Sequence, residues 1–464
     1  MKITKHMPVV ALLTGFVITP SALADDHQMR VPPAEVPLLY TLAEDVSAGR
    51  LEKDIRKLVD FGTRHTSSET DSDRRGIGAA RRWIKAEFDA ISAACGGCLE
   101  VLYVSRVIEG ERRIPDPVDV VSVVAIQKGS IEPDRYVMMS GDIDSRVSDA
   151  LDATSESPGA NDNASGVAGV IEAARVMSQH KFAGSIIYAA LAGEEQGLFG
   201  GQILADHALA NNWRIKAVLN NDMIGNISGI DGVIDNSTAR VFSEGTRDVE
   251  TPEEARMRRF SGGEVDSPSR NLARYIDRRS DQYVRNLDVM MVYRLDRFGR
   301  GGHHRPFNAV GIPGVRIMET HEHYDRQHQN LRVEDGRAYG DVIEGVDFDY
   351  ARKLTALNVV SLAEMAMAPA FPAGVQITGA VRPSAKLSWT MAEGDVAENL
   401  AGYKVYWRLT DANQWTNSRF VGKVNEFTFD NLVIDNYYFG VASVAKNGAE
   451  SPVVFPGPAG SFGE

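Results

Sequence analysis

From Ser185 to Ala192 the chain reads Ser-Ile-Ile-Tyr-Ala-Ala-Leu-Ala, an apolar run without polar alternation, and it continues into Gly193-Glu-Glu-Gln-Gly197. A strand with one wet face alternates. A run that is apolar on both faces needs cover on both, which is the condition of a strand inside a largely parallel sheet. Glu194 and Glu195 should therefore emerge at the carboxyl end of such a strand, the rim at which open α/β sheets bind ligands. Neighbouring side chains there point different ways, so one Glu can be a metal ligand and the other a general base. A solvated strand end is the plainer reading of the pair alone.

The same arrangement recurs along the chain. Arg135 to Ser145 reads as a strand ending in Asp142 and Asp144, and Ile215 to Asp222 as another ending in acid. A Gly/Pro/Asn-rich loop, Ser157 to Gly166, leads into a helix with Val167, Val170, Ile171, Ala174 and Met177 on one face. Ile77, Ala80, Ile84, Phe88 and Ile91 recur at helical spacing within Ile77 to Ala94, followed by strands at Leu99 to Val107 and Val118 to Ile126. A helix to about Asn211, late strands at Val289 to Arg294 and Val315 to Met318, and a closing helix from Tyr350 to Met367 complete the pattern. Strands alternating with helices predict an α/β fold: a mostly parallel, mixed sheet flanked by helices.

Two stretches depart from that texture. Ile227 to about Asn286 is polar and Arg-rich, with a helix opened by Ser267-Pro268 that carries Leu272, Tyr275 and Ile276 inward. It reads either as cover for an active site or as a surface excursion. After Pro369 and Pro372 come short strands at Lys386 to Trp389, Tyr403 to Arg408, Glu426 to Phe429 and Tyr437 to Val444. They predict a small all-β sandwich over 371–464, following a domain over 25–370 that should fold without it. Tyr403, Val405 and Trp407 alternate with Lys404, Tyr406 and Arg408, which places the second set toward solvent.

The first 24 residues have Lys2 and Lys5, an apolar stretch from Val9 to Ile18, and Ala22-Leu23-Ala24 before Asp25, the pattern of a signal peptide cleaved after Ala24. No later stretch reaches the about 18 apolar residues of a membrane span, so a periplasmic or extracellular protein is expected. The formal net charge of −13 becomes two units more negative when Lys2 and Lys5 leave, which argues against nucleic acid or an anionic membrane as partner. The only cysteines, Cys95-Gly-Gly-Cys98, follow a helical pattern instead of opening one. A local disulfide fits an oxidising compartment better than a redox pair, which favours a helix amino terminus.

Asp142, Asp144, Asp162, Glu194, Glu195, Asp222 and His328 all lie at strand ends or in adjoining loops. That many carboxylates on one rim repel each other unless cations compensate them, so the group points to divalent metal, with zinc suited to the imidazole and carboxylate donors and manganese or cobalt as rivals.

These stretches resemble the M28 zinc aminopeptidases. The resemblance is carried by Gly141-Asp142-Ile-Asp144-Ser145, Gly159-Ala-Asn-Asp162-Asn163-Ala-Ser-Gly166, Glu194-Glu195-Gln-Gly197, Asn221-Asp222-Met-Ile-Gly225, Gly311-Ile-Pro313 and Tyr324-Asp-Arg-Gln-His328. It implies two zinc ions: Asp162 bridges them, Glu195 and His328 hold one, and Asp142 and Asp222 hold the other. Glu194 would be the general base and Asp144 the residue that orients the ligand at 142. The substrates implied are peptides with a free amino terminus. A fibronectin type III repeat is the corresponding resemblance for Leu387-Ser-Trp389 and Gly402-Tyr-Lys-Val405.

The chain departs from the M28 pattern at two positions. Asp142 stands where the family has a histidine ligand, and His303 stands in Gly302-His303-His304-Arg305-Pro306-Phe307 where the family usually has Asp before His304. Asp for His at position 142 adds a negative charge and favours harder ions at that site. A single-zinc aminoacyl transferase resembling glutaminyl cyclases, which needs only Asp162, Glu195 and His328, and a catalytically impaired peptide-binding relative are the alternative readings.

Overall fold

The computed structural model describes residues 30–463; the expected signal peptide and its cleavage site after Ala24 lie outside them. Eight strands form one sheet: β1 Leu99–Ile108, β2 Val118–Gln127, β3 Glu132–Asp142, β4 Gly184–Leu191, β5 Arg214–Asn221, β6 Thr238–Phe242, β7 Asp288–Val292 and β8 Gly314–Glu319. Across the sheet they run β1-β2-β4-β3-β5-β8-β6-β7. The central β4, β3, β5 and β8 are mutually parallel, while β2 meets β4, and β6 meets β8, antiparallel. This is the mixed, mostly parallel sheet that the apolar runs predict.

Its two faces are both buried. In β4, Ile186, Tyr188 and Ala190 enter one core, and Ile187, Ala189 and Leu191 enter the other. Helices Gly76–Ala94, Ala164–Met177 and Phe348–Met367 supply the first core, and helix Phe199–Ala210 supplies the second. Each Ile or Leu so enclosed contributes about 1.5–3 kcal/mol of burial, which fixes the strand in the middle of the sheet. Two further helices, Pro37–Asp45 and Ala48–Val59, add Leu39, Leu42, Leu51 and Ile55 to the first core.

The polar stretch after Ile227 is not a loose excursion. It contributes β6, which pairs with β8, and helix Pro268–Tyr283, which buries Leu272, Tyr275 and Ile276. Helix Pro252–Ser261 within it buries nothing. Among the described residues no helix is long and apolar enough to cross a membrane.

A two-stranded hairpin, β9 Arg332–Glu334 and β10 Arg337–Tyr339, precedes the closing helix. After it come β11 Ala373–Thr378, β12 Ala385–Thr390, β13 Leu400–Leu409, β14 Asn417–Gly422, β15 Glu426–Phe429 and β16 Tyr437–Ala445. They form two antiparallel sheets, β11-β12-β15 and β14-β13-β16. Tyr406 and Arg408, placed toward solvent by the alternation of β13, are buried instead. That face lies on the helix Pro268–Tyr283: Arg408 pairs with Asp266 at 2.8 Å and the Arg278 guanidinium donates to the Tyr406 hydroxyl at 2.9 Å.

Cys95 and Cys98 are joined in a disulfide directly after helix Gly76–Ala94. Closing so short a loop removes little entropy from the unfolded chain. A Cys95→Ser, Cys98→Ser variant is expected to lose at most about 2 kcal/mol by urea unfolding and to keep native metal content. A larger loss would show that the link holds more than its own turn.

Candidate metal centre

The strand order reverses around β3, which has β4 on one side and β5 on the other, so the carboxyl ends of these strands open onto one crevice. β3 ends at Asp142, and the chain continues to Asp144. After β4, Gly193 takes a positive φ of 76°, which lets the chain leave the strand and begin a helical turn at Glu194. Asp222 follows β5, and His328 comes from the loop after β8. Asp162 immediately precedes the helix Ala164–Met177, whose amino end is capped by Asn163. The fit is close here: a Cβ on Gly166 would lie 2.4 Å from the Asn221 carbonyl.

Three expected ligands converge. His328 Nε2 lies 3.0 Å from Asp162 Oδ2 and 2.9 Å from Glu195 Oε1, and among the described residues these three form the one group of donors within 4.8 Å of one another. Two carboxylates and an imidazole make a donor set that suits zinc. Burial by itself pulls His328 down, but the Glu195 and Asp162 carboxylates outweigh it and push the imidazole up to about 9. A cation in the triad would replace that proton.

The support of the triad was not visible in the sequence. Asp341 accepts the backbone N–H groups of Asn161 (2.9 Å) and Asp162 (2.6 Å), which fixes the Asp162 loop from 180 residues away. Arg146 donates from Nε to Glu195 Oε2 at 2.7 Å and meets His328 Nδ1 at 2.7 Å. No local pattern marks either residue.

Asp144, expected to orient Asp142, accepts the backbone N–H of Glu194 (3.2 Å) and of Glu195 (2.9 Å), together with the Thr66 hydroxyl. It therefore positions the Glu-Glu turn. Glu194 is the half-buried acid of the rim, and among the described residues its carboxylate makes no hydrogen bond or ion pair. Burial, with the charges of Glu195, Asp222 and Asp142, holds it well above the usual carboxylate range.

Asp142 and Asp222 do not join a third donor. Asp142 Oδ1 is 2.5 Å from His303 Nδ1, and its Oδ2 accepts from Asn163 Nδ2 at 2.7 Å. The two positions that depart from the M28 pattern thus touch each other. Burial pushes the Asp142 carboxyl up and pulls the His303 imidazole down. Asp222 Oδ2 is ion-paired with Arg316 at 2.7 Å. Arg316 stands inside the strand Val315 to Met318, and a charged residue in an apolar strand covered on both faces is the sequence signal of a buried ion pair.

Residues 122–346 match the profile of peptidase family M28. A protein of Leptosphaeria maculans described as a probable zinc metalloprotease is 42% identical over 429 residues, which cover 92% of this chain and 99% of that one. A probable zinc metalloprotease of Pyricularia oryzae is 41% identical, over 89% of this chain and 83% of its own. Among solved structures, the LapA aminopeptidase of Legionella pneumophila superposes with a TM-score of 0.53 at 19% identity, over 76% of this chain and 78% of that one. LapB from the same organism gives 0.52 at 17% identity, over 73% and 78%. At such identities these two likenesses speak to the fold.

Proposed function

The chain belongs to peptidase family M28, as its zinc metalloprotease relatives place it, and from that premise we propose that it is a metal-dependent aminopeptidase acting outside the cytoplasm on peptides with a free amino terminus. One observation carries the reading: the unpaired, proton-hungry carboxylate of Glu194 sits in the same turn as a ligand of the Asp162, Glu195 and His328 triad. When bound, a zinc ion supplies Lewis-acid chemistry, drawing charge from a peptide carbonyl and making water a stronger acid.

The residues of the chain do the rest. Asp162, Glu195 and His328 hold the ion. Glu194, held above the usual carboxylate range by burial and by its acidic neighbours, accepts the proton of the attacking water and passes it to the departing amine, as a positioned general base does. Asp144 fixes the backbone from which Glu194 projects, and Asp341 fixes Asp162. The acids of the rim favour a substrate that presents a cationic end, which is the basis for choosing the free amino terminus over an internal bond.

The test compares an aminoacyl arylamide and an unblocked peptide with their N-acetylated counterparts. Hydrolysis of the free substrates alone, lost on chelation and restored by zinc, is expected. Equal cleavage of acetylated substrates would overturn the exopeptidase reading. Because a triad of this kind also serves a glutaminyl cyclase-like transfer, a peptide starting with Gln belongs in the same assay. Loss of ammonia from that peptide, with no hydrolysis of the others, would favour the transferase.

A further inference from the structure

Arg316 lies in β8, in register with Asn220 of β5 and beside the chain that delivers Asp222. It is fully buried. Nε donates to the Asp222 carbonyl at 2.6 Å. One terminal nitrogen contacts Asp296 Oδ1 and Oδ2 at 3.1 and 3.3 Å and the Gly301 carbonyl at 2.8 Å, and the other meets Asp222 Oδ2 at 2.7 Å. A guanidinium does not give up its proton in a protein, so this is a permanent positive charge on the Asp222 carboxylate.

The neighbouring acid is equally engaged. Each oxygen of Asp142 already has a partner, His303 on one side and Asn163 on the other. A divalent ion entering between Asp142 and Asp222 would have to displace buried hydrogen bonds and come to rest against the Arg316 charge, in surroundings that screen repulsion poorly. The triad also carries a guanidinium, Arg146 at 2.7 Å from Glu195 and from His328, but that side chain is 14% exposed at the rim, whereas Arg316 is 0% exposed.

We propose that this chain holds a single divalent ion, in the Asp162, Glu195 and His328 triad, and that Arg316 stands in place of a second one as the fixed countercharge of Asp222. The inference rests on the reading of the triad as a metal site, and it departs from the two-ion arrangement that the resemblance to M28 aminopeptidases implies. Asp142 is then a hydrogen-bonding partner of His303 and Asn163, and Arg316 is a positioning residue that holds Asp222 in place.

The experiment measures metal directly. Full-length protein is saturated with zinc, desalted and analysed for metal per chain, and metal-free protein is titrated with zinc by calorimetry. One ion per chain is expected by both routes; two tightly held ions would overturn the proposal. His328→Ala should reduce the content to none, and a retained ion would place it outside the triad and overturn the assignment. Arg316→Met, which removes the charge at similar volume, should raise the zinc capacity of the folded protein above one. A capacity still at one would show that Arg316 is not what closes the second position. If that variant does not fold, the native count and His328→Ala decide the matter alone. Peptide hydrolysis followed in parallel separates this inference from the functional reading. Hydrolysis with two ions sinks the single-ion site, and one ion without hydrolysis sinks the aminopeptidase.

Discussion

Glu194→Gln is expected to lower kcat/KM for aminoacyl arylamides by about a hundred- to ten-thousand-fold, the range that a positioned general base supplies, with metal content unchanged. The amide is nearly isosteric but cannot take a proton from water. Its neighbours should not notice the exchange, since the Glu194 carboxylate makes no hydrogen bond or ion pair among the described residues and its backbone N–H to Asp144 is retained. Removing one acid from a crowd of four relieves repulsion, so the fold should be no less stable. Glu195→Gln is the control. It faces His328 at 2.9 Å and Arg146 at 2.7 Å, so its loss should empty the triad of metal. Equal loss of metal from both variants would show that the division of roles between the two glutamates is wrong.

The second large effect is expected on deleting residues 371–464. Read as sequence, the Pro-bounded change of texture at 370 looks like a boundary between units that fold apart. The packing argues otherwise. Asp266 is ion-paired to Arg274 of its own half and to Arg408 of the C-terminal sheets, all three buried. Arg279 pairs with Glu364 at 2.5 Å, and Glu364 also accepts the backbone N–H of Glu450. Arg278 pairs with Glu450, Trp415 donates to Asn271, and Lys216 at the start of β5 donates to the carbonyl of Gly463.

The apolar core is continuous across the junction as well: Phe371, Leu387, Trp389, Val405 and Phe462 belong to the cluster that contains Leu354 and Tyr283. Breaking one buried ion pair by removing a partner costs about 3–5 kcal/mol. Truncation removes the partners of two such pairs, Asp266–Arg408 and Arg278–Glu450, and bares the shared apolar core in a fold whose whole stability is of the order of 5–15 kcal/mol. The 25–370 fragment is therefore expected to be insoluble or to lack a cooperative thermal transition. A soluble fragment with a sharp transition and bound zinc would refute the continuity argued here.

Much of the site was legible because its members sit at points where the chain's local pattern changes. Asp162, Glu195 and His328 each stand in a short run with its own spacing, and the apolar strands that carry or precede them specify a common rim. Asp144 was legible as a participant but not in its role, since only the folded chain shows that the Glu194 and Glu195 amides fall on its carboxylate. Asp341 and Arg146 had no signature at all. Each acts through one long-range contact, and a single contact between distant positions leaves no period in the sequence.

What the sequence by itself determined is the sheet and its rim: unbroken apolar runs such as Ser185–Ala192 can be stable only between two cores, and the acids that end them must then gather at one edge. What only the tertiary structure decided is how the charges are paired. Asp142 meets His303 across 161 positions, Arg316 reaches Asp222 across the β5 and β8 pairing, and Arg408 turns from an expected solvent face into a buried partner of Asp266. The physical reason is the same in each case. Hydrophobic burial follows a local period that the chain displays along its length, whereas a buried charge is satisfied by whichever opposite group packing brings within about 3 Å, and that choice is made in space.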